Sequence, residues 1–106
     1  MRIKQGDTYP FQQRLLYDDS SPVDLTDADS VNLRLRLDGA TSYKVDKPCV
    51  IVDAMLGTVL YFPDTSDTDT PGMYEMEFRI IFKGGNVQTV PSNKTMWLLI
   101  LGDSND

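Results

Sequence analysis

The feature that most constrains the fold is strict alternation of apolar and polar side chains. In "VNLRLRL", residues 31–37, every second residue is apolar and the residues between are Asn or Arg. "YEMEFRIIF", residues 74–82, extends the same pattern over a longer run. A period of two is typical of an antiparallel strand with one buried face. No segment sustains a 3.6-residue period, so the sequence predicts an all-β protein.

Shorter strand candidates occupy most of the remaining chain, with turn signals between them. Gly84 and Gly85 suit a tight hairpin because both accept positive φ, and "TDADS", residues 26–30, is the one cue for a short helical turn. About eight short strands predict an antiparallel β-sandwich that forms a single domain over residues 1–106, with 102–106 as a flexible tail. The shorter candidates are residues 11–17, 23–26, 43–45, 49–53, 58–62, 87–90 and 95–101.

Composition excludes several functional classes. Sixteen acidic against ten basic residues give a net charge of -6, which repels nucleic acid. The chain has no His, which removes imidazole catalysis, and its one Cys, Cys49 in "PCVIV", predicts an inert core thiol. No apolar run reaches the length of a membrane helix, and the N-terminus lacks a secretory signal. We therefore expect no nucleic-acid or membrane partner and synthesis in a cytoplasm.

The acidic stretch "PDTSDTDTPG", residues 63–72, raises the question of a metal site. Asp64, Asp67 and Asp69 are oxygen ligands of the kind that calcium prefers. Their spacing does not match an EF-hand loop, and Asp and Thr before Pro-Gly are ordinary turn residues. The sequence favours a solvated turn, with no metal or other cofactor.

Glu75 and Glu77 test the possibility of a hydrolase. Two residues apart on one strand face, their carboxyl groups would lie about 7 Å apart, as in inverting glycosidases. Arg79 continues that face, and alternating charges on the outside of a sandwich need no chemical role. We predict that the protein is not an enzyme.

The segment "TPGMYEM", residues 70–76, has the spacing of a tyrosine corner. In immunoglobulin domains a Gly and a Tyr precede a core position, and the Tyr hydroxyl binds upstream backbone. Gly72, Tyr74 and Met76 take these positions here, although Tyr74 shares the face of Met76 and must reach the loop from inside. We assign all three to the corner, and Tyr61 and Phe78 to the core.

The last strand candidate, "TMWLLIL", is apolar on both faces. Trp97, Leu99 and Leu101 face opposite to Met96, Leu98 and Ile100. Either a second sheet or loop covers the outer three, or they form an interface with another protein, as exposed apolar surface often does. Ile81, on the charged face of its strand, joins the candidate interface group.

Six short motifs follow one another along the chain in a fixed order. Together they resemble the N-terminal domain of the upper baseplate proteins of siphophages and of related prophage tail proteins of Gram-positive bacteria. The resemblance spans nearly the whole sequence. The motifs are "GDTYP" at 6–10, "SPVDLT" at 21–26, "VNLRLR" at 31–36, "IVDAMLGTVLY" at 51–61, "DTPGMYEMEF" at 69–78 and "VQTVP" at 87–91.

This resemblance implies an immunoglobulin-like sandwich without catalytic residues or cofactor. It implies a phage virion structural protein that docks the host-adsorption apparatus to other tail or baseplate proteins, as a homo-oligomer such as a trimer or ring. The expected location is the virion tail, after a period in the host cytoplasm. A glycan-binding module at a cell surface or phage tail and a capsid decoration protein are the alternatives.

Overall fold

The structure, a computed structural model, describes residues 1–102 as nine strands and one 3₁₀ turn at Thr65–Asp67. Most strands are short, and the two that alternate most strictly in sequence are also the longest. The strands are β1 (Arg2–Lys4), β2 (Phe11–Arg14), β3 (Ala28–Leu37), β4 (Val45–Pro48), β5 (Val50–Asp53), β6 (Thr58–Tyr61), β7 (Gly72–Phe82), β8 (Val87–Val90) and β9 (Met96–Leu101).

The strands form two sheets that pack as a β-sandwich. The larger sheet has the order β1-β9-β7-β3-β4, with β8 also paired to β7, and the smaller has the order β2-β6-β5. All pairs are antiparallel except β1 with β9. The split of β9-β7-β3-β4 from β2-β6-β5 matches that of G-F-C-C′ from B-E-D in immunoglobulin variable domains. The predicted all-β sandwich is confirmed, although the parallel pair of β1 and β9 makes the larger sheet mixed where antiparallel pairing was predicted.

One core lies between the sheets, and strand alternation decides which side chains enter it. Along β3 and β7 every second residue is buried, as the sequence pattern predicted. The smaller sheet contributes fewer residues, but two of them, Val59 and Tyr61, are among the buried set. The larger sheet supplies Val31, Leu33, Leu35, Val45, Tyr74, Met76, Phe78, Ile80, Val90, Leu98 and Ile100.

Strands β8 and β9 occupy the same edge of β7. β8 pairs with residues 78–81 of β7 and β9 with residues 72–76. The five residues between them, 91–95, leave the sheet opposite Glu77 and then return. The Gly84-Gly85 hairpin that joins β7 to β8 is confirmed, with φ of 90° and 94°.

The predicted strand at residues 23–26 is wrong. Val23 and Leu25 are buried, but their N–H groups donate to two different segments, at Leu15 O (2.9 Å) and Ala54 O (2.7 Å). Because each of these two residues hydrogen-bonds to a different segment, the backbone here satisfies its N–H groups without forming a β-ladder with either segment. The apolar alternation therefore reflects burial and not a strand.

The turn suggested at "TDADS" is present but does not begin a helix: Ala28 N–H donates to the Leu25 carbonyl oxygen at 3.0 Å, which closes a single turn over Thr26 and Asp27. The Asp24 carboxylate accepts hydrogen bonds from the backbone N–H (2.9 Å) and hydroxyl (2.5 Å) of Thr26, which makes an Asx turn. β3 begins directly afterwards, at Ala28, with a bulge before Ser30. No strand was predicted at Arg2–Lys4, where β1 forms. The predicted flexible tail lies outside the described residues from 103 onward.

Candidate interaction surface

An apolar patch interrupts the outer face of the larger sheet. It consists of Trp97, Leu99 and Leu101 on β9 and Met73 on β7, and we call these four residues the front patch. Met73 lies directly opposite Leu99 in the ladder, and Trp97 lies opposite Glu75. Met73 and Trp97 are exposed, Trp97 to 39%, and the two leucines are half-buried. No second sheet or loop of the described chain covers this surface fully.

The front patch follows from an all-apolar strand in a sheet with one buried face. Leu98 and Ile100 point into the core, so their neighbours along β9 must point outward. The three predicted interface residues of β9 therefore lie together on the outer face, and the structure shows them as partly exposed.

Ile81 does not join them. It lies near the far end of β7, opposite Val87 on β8. It lies six positions along β7 from Glu75, the ladder partner of Trp97, which amounts to about 20 Å of extended strand. The candidate interface group predicted from sequence thus divides into the front patch and a separate, half-buried residue.

Sequence reasoning missed Met73 because it began the strand at Tyr74. Extending the alternation of "YEMEF" backward by one residue places Met73 on the face of Glu75, away from the core. The alternation of inward and outward residues along this strand could therefore have identified Met73 as an outward-facing residue.

Cations border the front patch on its β1 side. Arg2 pairs with Leu99 and Lys4 with Leu101, while Ile3 between them packs against the core. Within residues 1–102, neither the Arg2 nor the Lys4 side chain makes an ion pair. The result is an apolar centre with a positively charged rim that is unpaired within residues 1–102.

Most charged side chains on the rest of this sheet face have partners within the described chain. The Arg36 guanidinium donates to the Glu75 carboxylate, and this bond raises the pKa of Arg36. The Tyr43 hydroxyl donates to Glu77 at 3.1 Å, and burial raises the pKa of Tyr43. Arg34 stacks on the Tyr43 ring, 3.9 Å from its centroid. The two carboxylates considered for hydrolysis thus each have a protein partner.

The acidic loop after β6 is organised around one buried carboxylate. Asp67, only 3% exposed, accepts hydrogen bonds from Lys47 Nζ (2.7 Å), the Tyr61 hydroxyl (2.7 Å) and the Asp64 N–H (2.9 Å). Burial opposes ionisation, but the bonds from Lys47 and Tyr61 outweigh it and lower the pKa of Asp67. The predicted solvated turn is thus a turn with a buried anchor.

The other two aspartates of the calcium hypothesis also have lysine partners. Asp64 lies 3.3 Å from Lys47 and Asp69 lies 2.6 Å from Lys44, and the Lys44 bond lowers the pKa of Asp69. Among the described residues no group of three or more acidic, Cys or His side chains is arranged to hold a metal ion.

Tyr74 makes the hydrogen bond of a tyrosine corner. Its hydroxyl donates to the carbonyl oxygen of Thr70 at 2.7 Å, while its ring is buried in the core beside the start of β7. Met76 and Phe78 follow on the same face and are buried. Gly72 lies where a Cβ would be 2.7 Å from Leu37 Cδ1, so a larger residue would displace that side chain. These residues fix the fold and do not line the front patch.

Cys49 lies half-buried between β4 and β5, and burial raises the pKa of its thiol to about 11. It is therefore a neutral, weakly reactive thiol at neutral pH.

No protein-family model matches the sequence, and a search of curated proteins gives no match. No helix among residues 1–102 has the length and apolar character to cross a membrane.

Proposed function

We propose that this protein is a non-enzymatic structural protein of a phage virion, whose immunoglobulin-like domain docks onto other tail or baseplate proteins and positions the host-adsorption apparatus. The ordered motifs and the sandwich fold support the resemblance on which this proposal draws. The observation that carries it is the front patch. In this proposal the protein is made in the host cytoplasm and then joins the virion.

The front patch has the anatomy of a protein-binding surface. Binding interfaces combine an apolar centre, often with Trp, and a polar rim that remains near solvent. Trp97 and Leu99 form such a centre, with Arg2 and Lys4 at the rim. Burying a Trp side chain contributes on the order of 2–3 kcal/mol through apolar area alone.

The charged part of the face favours binding over hydrolysis. A general acid or base needs a carboxyl group that is available to the substrate. Glu75 and Glu77 are instead engaged by Arg36 and Tyr43.

The test is immunogold electron microscopy of virions produced with the wild-type chain, with Trp97→Asp or with Tyr17→Asp. We expect tail-tip label for wild type and Tyr17→Asp, and loss of label for Trp97→Asp. A carboxylate buried in an apolar interface costs about 3 kcal/mol or more, which is over a hundredfold in affinity. Tyr17 is a matched control because it is 39% exposed, as Trp97 is, but lies in the loop after β2.

Undiminished label with Trp97→Asp would contradict a docking role for the front patch. Label on the capsid would change the proposed role to decoration, and unlabelled intact particles would contradict a virion role.

Glycan binding is the second candidate, and one contact favours it. Trp97 lies directly across the ladder from Glu75, which is paired with Arg36, and an exposed aromatic ring beside an ion pair is suited to a sugar's apolar face and hydroxyls. Because Trp97 is the single Trp, its fluorescence reports on this site alone. A saturable shift on titration with cell-wall polysaccharide would favour glycan binding, and an unchanged spectrum would exclude it at the front patch.

A further inference from the structure

Charge is distributed unevenly between the outer face of the larger sheet and the rest of the described chain. Strand alternation places five cations but three carboxylates in the outward-facing paired positions of the larger sheet. The rest of the described chain carries eleven carboxylates against five cations. The face that bears the front patch is therefore cationic in a protein whose net charge is -6. The outward-facing charges are Arg2, Lys4, Arg34, Arg36 and Arg79, with Asp46, Glu75 and Glu77.

A second apolar patch lies on the opposite side of the molecule. Val50 and Val52 on β5 are exposed, Leu60 on β6 lies opposite Val50, and exposed Phe62 follows β6 directly. We call these four residues the rear patch. They belong to the outer face of the smaller sheet, because Ile51, Val59 and Tyr61 between them face the core.

The rear patch has acidic neighbours. Asp53 ends β5 beside Val52, and Asp24 is adjacent to Leu25, whose N–H binds the Ala54 carbonyl oxygen at 2.7 Å in the turn after β5. Within residues 1–102 neither carboxylate forms an ion pair. On its β5 side the rear patch thus has an acidic rim, which complements the front patch, whereas Arg14 lies opposite Thr58 on the β2 side of the same face.

The position of the rear patch on an edge strand adds a second argument. β5 pairs only with β6, so its other backbone edge is open. Exposed edge strands usually carry Lys or Pro, which discourage pairing with other chains. The sequence of β5 is "VIVD" and has neither. Its short length, the register shift between Ile51 and Asp53 and the charge of Asp53 limit pairing at this edge, but Val50 and Val52 leave apolar surface beside it that a second chain can cover.

The charges around the two patches favour one of the three possible contacts between copies of the chain. A symmetric contact of two front patches would bring together the cations Arg2 and Lys4 of both copies, and a contact of two rear patches would bring together the carboxylates Asp24 and Asp53 of both copies. A front patch on a rear patch instead joins apolar to apolar and cation to carboxylate. Complementary potentials favour association, and like charges oppose it.

We infer that copies of this chain associate head to tail, with the front patch of one copy on the rear patch of the next. This inference rests on the proposed docking function of the front patch and names a second copy as one of its partners. Because the patches lie on opposite faces, each contact leaves a free patch at both ends, so that association continues beyond the dimer.

The experiment measures molar mass by size-exclusion chromatography with light scattering. Wild type is expected to form species above dimer as concentration rises, and higher salt is expected to weaken them. Trp97→Asp removes the front patch and Val52→Asp removes the rear patch. Each variant alone is expected to be a monomer of 11.9 kDa. Their equimolar mixture is expected to give a 1:1 dimer of twice that mass that grows no further, since one functional patch of each kind remains.

Far-UV circular dichroism verifies that both variants are folded, with Val50→Asp as the replacement if Val52→Asp is not. Three outcomes would overturn the inference. The first is that Val52→Asp still dimerises while Trp97→Asp does not, which would indicate a symmetric front contact. The second is a mixture that remains monomeric although wild type associates. The third is a wild type that is monomeric at all concentrations, and in that case the immunogold experiment still tests docking to a different protein.

Discussion

At the scale of single residues, the buried Asp67 side chain holds the loop after β6 in place through three hydrogen bonds. Its carboxylate receives one donor from β4 (Lys47), one from β6 (Tyr61) and one from its own turn (Asp64 N–H). The loop after β6 is thereby tied to both sheets, because β4 belongs to the larger and β6 to the smaller. Removing the carboxylate would leave a buried hydroxyl and an N–H without an acceptor.

We predict that Asp67→Ala lowers the free energy of unfolding at pH 7 by about 3 kcal/mol. The pKa of Asp67 is lower in the folded than in the unfolded chain, so its ionic contribution is fully present above the unfolded value, near 3.8. That contribution is lost as pH falls through the lower folded pKa. Urea unfolding at pH 7 and at about pH 2 should therefore show the largest gap between variant and wild type at pH 7.

Asp38→Ala is the control, because Asp38 is exposed and within residues 1–102 its side chain makes no ion pair. It should change stability by less than about 0.5 kcal/mol at either pH. A gap for Asp67→Ala that is equal at both pH values would show that packing, and not the ionised carboxylate, accounts for the loss.

At the scale of elements, the turn between β5 and β6 supports the buried segment that replaces a predicted strand. Gly57 has φ of +70°, and a Cβ at this position would lie 2.6 Å from Val23 O and 2.8 Å from Leu15 O. Its own carbonyl oxygen accepts a hydrogen bond from Leu15 N–H at 2.7 Å. The turn therefore packs directly against two other backbone segments.

We predict that Gly57→Ala destabilises the protein by about 3 kcal/mol or more, because strain of positive φ adds to contact with rigid backbone. Gly39→Ala is a matched control with φ of +85° and no atom within 4 Å of the added Cβ. It should cost only about 1 kcal/mol. Thermal unfolding of both variants gives the comparison. Equal losses would mean that the β5–β6 turn moves away at little cost.

Elements also show what sequence can reveal. The long strands β3 and β7 were predictable because each has one face in the core and one outside it. Their apolar and polar residues alternate accordingly. β1 was not predictable, because a strand of three residues is too short to show alternation. Its single apolar residue, Ile3, is positioned by the pairing of β1 with β9.

The candidate surface was partly predictable for similar reasons. An all-apolar strand forces one face outward, so Trp97 and its neighbours could be identified from β9 alone. The rim of Arg2 and Lys4 depends on β1, and the separation of Ile81 depends on which part of β7 pairs with β9. Likewise, which of the loop aspartates is buried depends on the position of Tyr61. Contacts between distant segments decide these features.

At the scale of the whole molecule, both sheets share one core, so we predict two-state unfolding. Trp97 fluorescence reports on the larger sheet, and near-UV tyrosine signals include Tyr61 of the smaller sheet. At about micromolar concentration, where self-association is weakest, the two urea transitions should have the same midpoint. Separate midpoints would show that the two sheets unfold independently, contrary to a single-domain organisation over residues 1–106.

The parallel pairing of β1 with β9 also determines how the molecule responds to force. A pull that draws the start of β1 and the end of β9 apart acts along both strands in opposite directions. In a parallel ladder such a pull stretches every interstrand hydrogen bond at once, whereas a hairpin pulled from its open end breaks its bonds one after another. The first and last strands thus form a mechanical clamp, which resists tension between the two ends of the domain better than its short β1 would suggest.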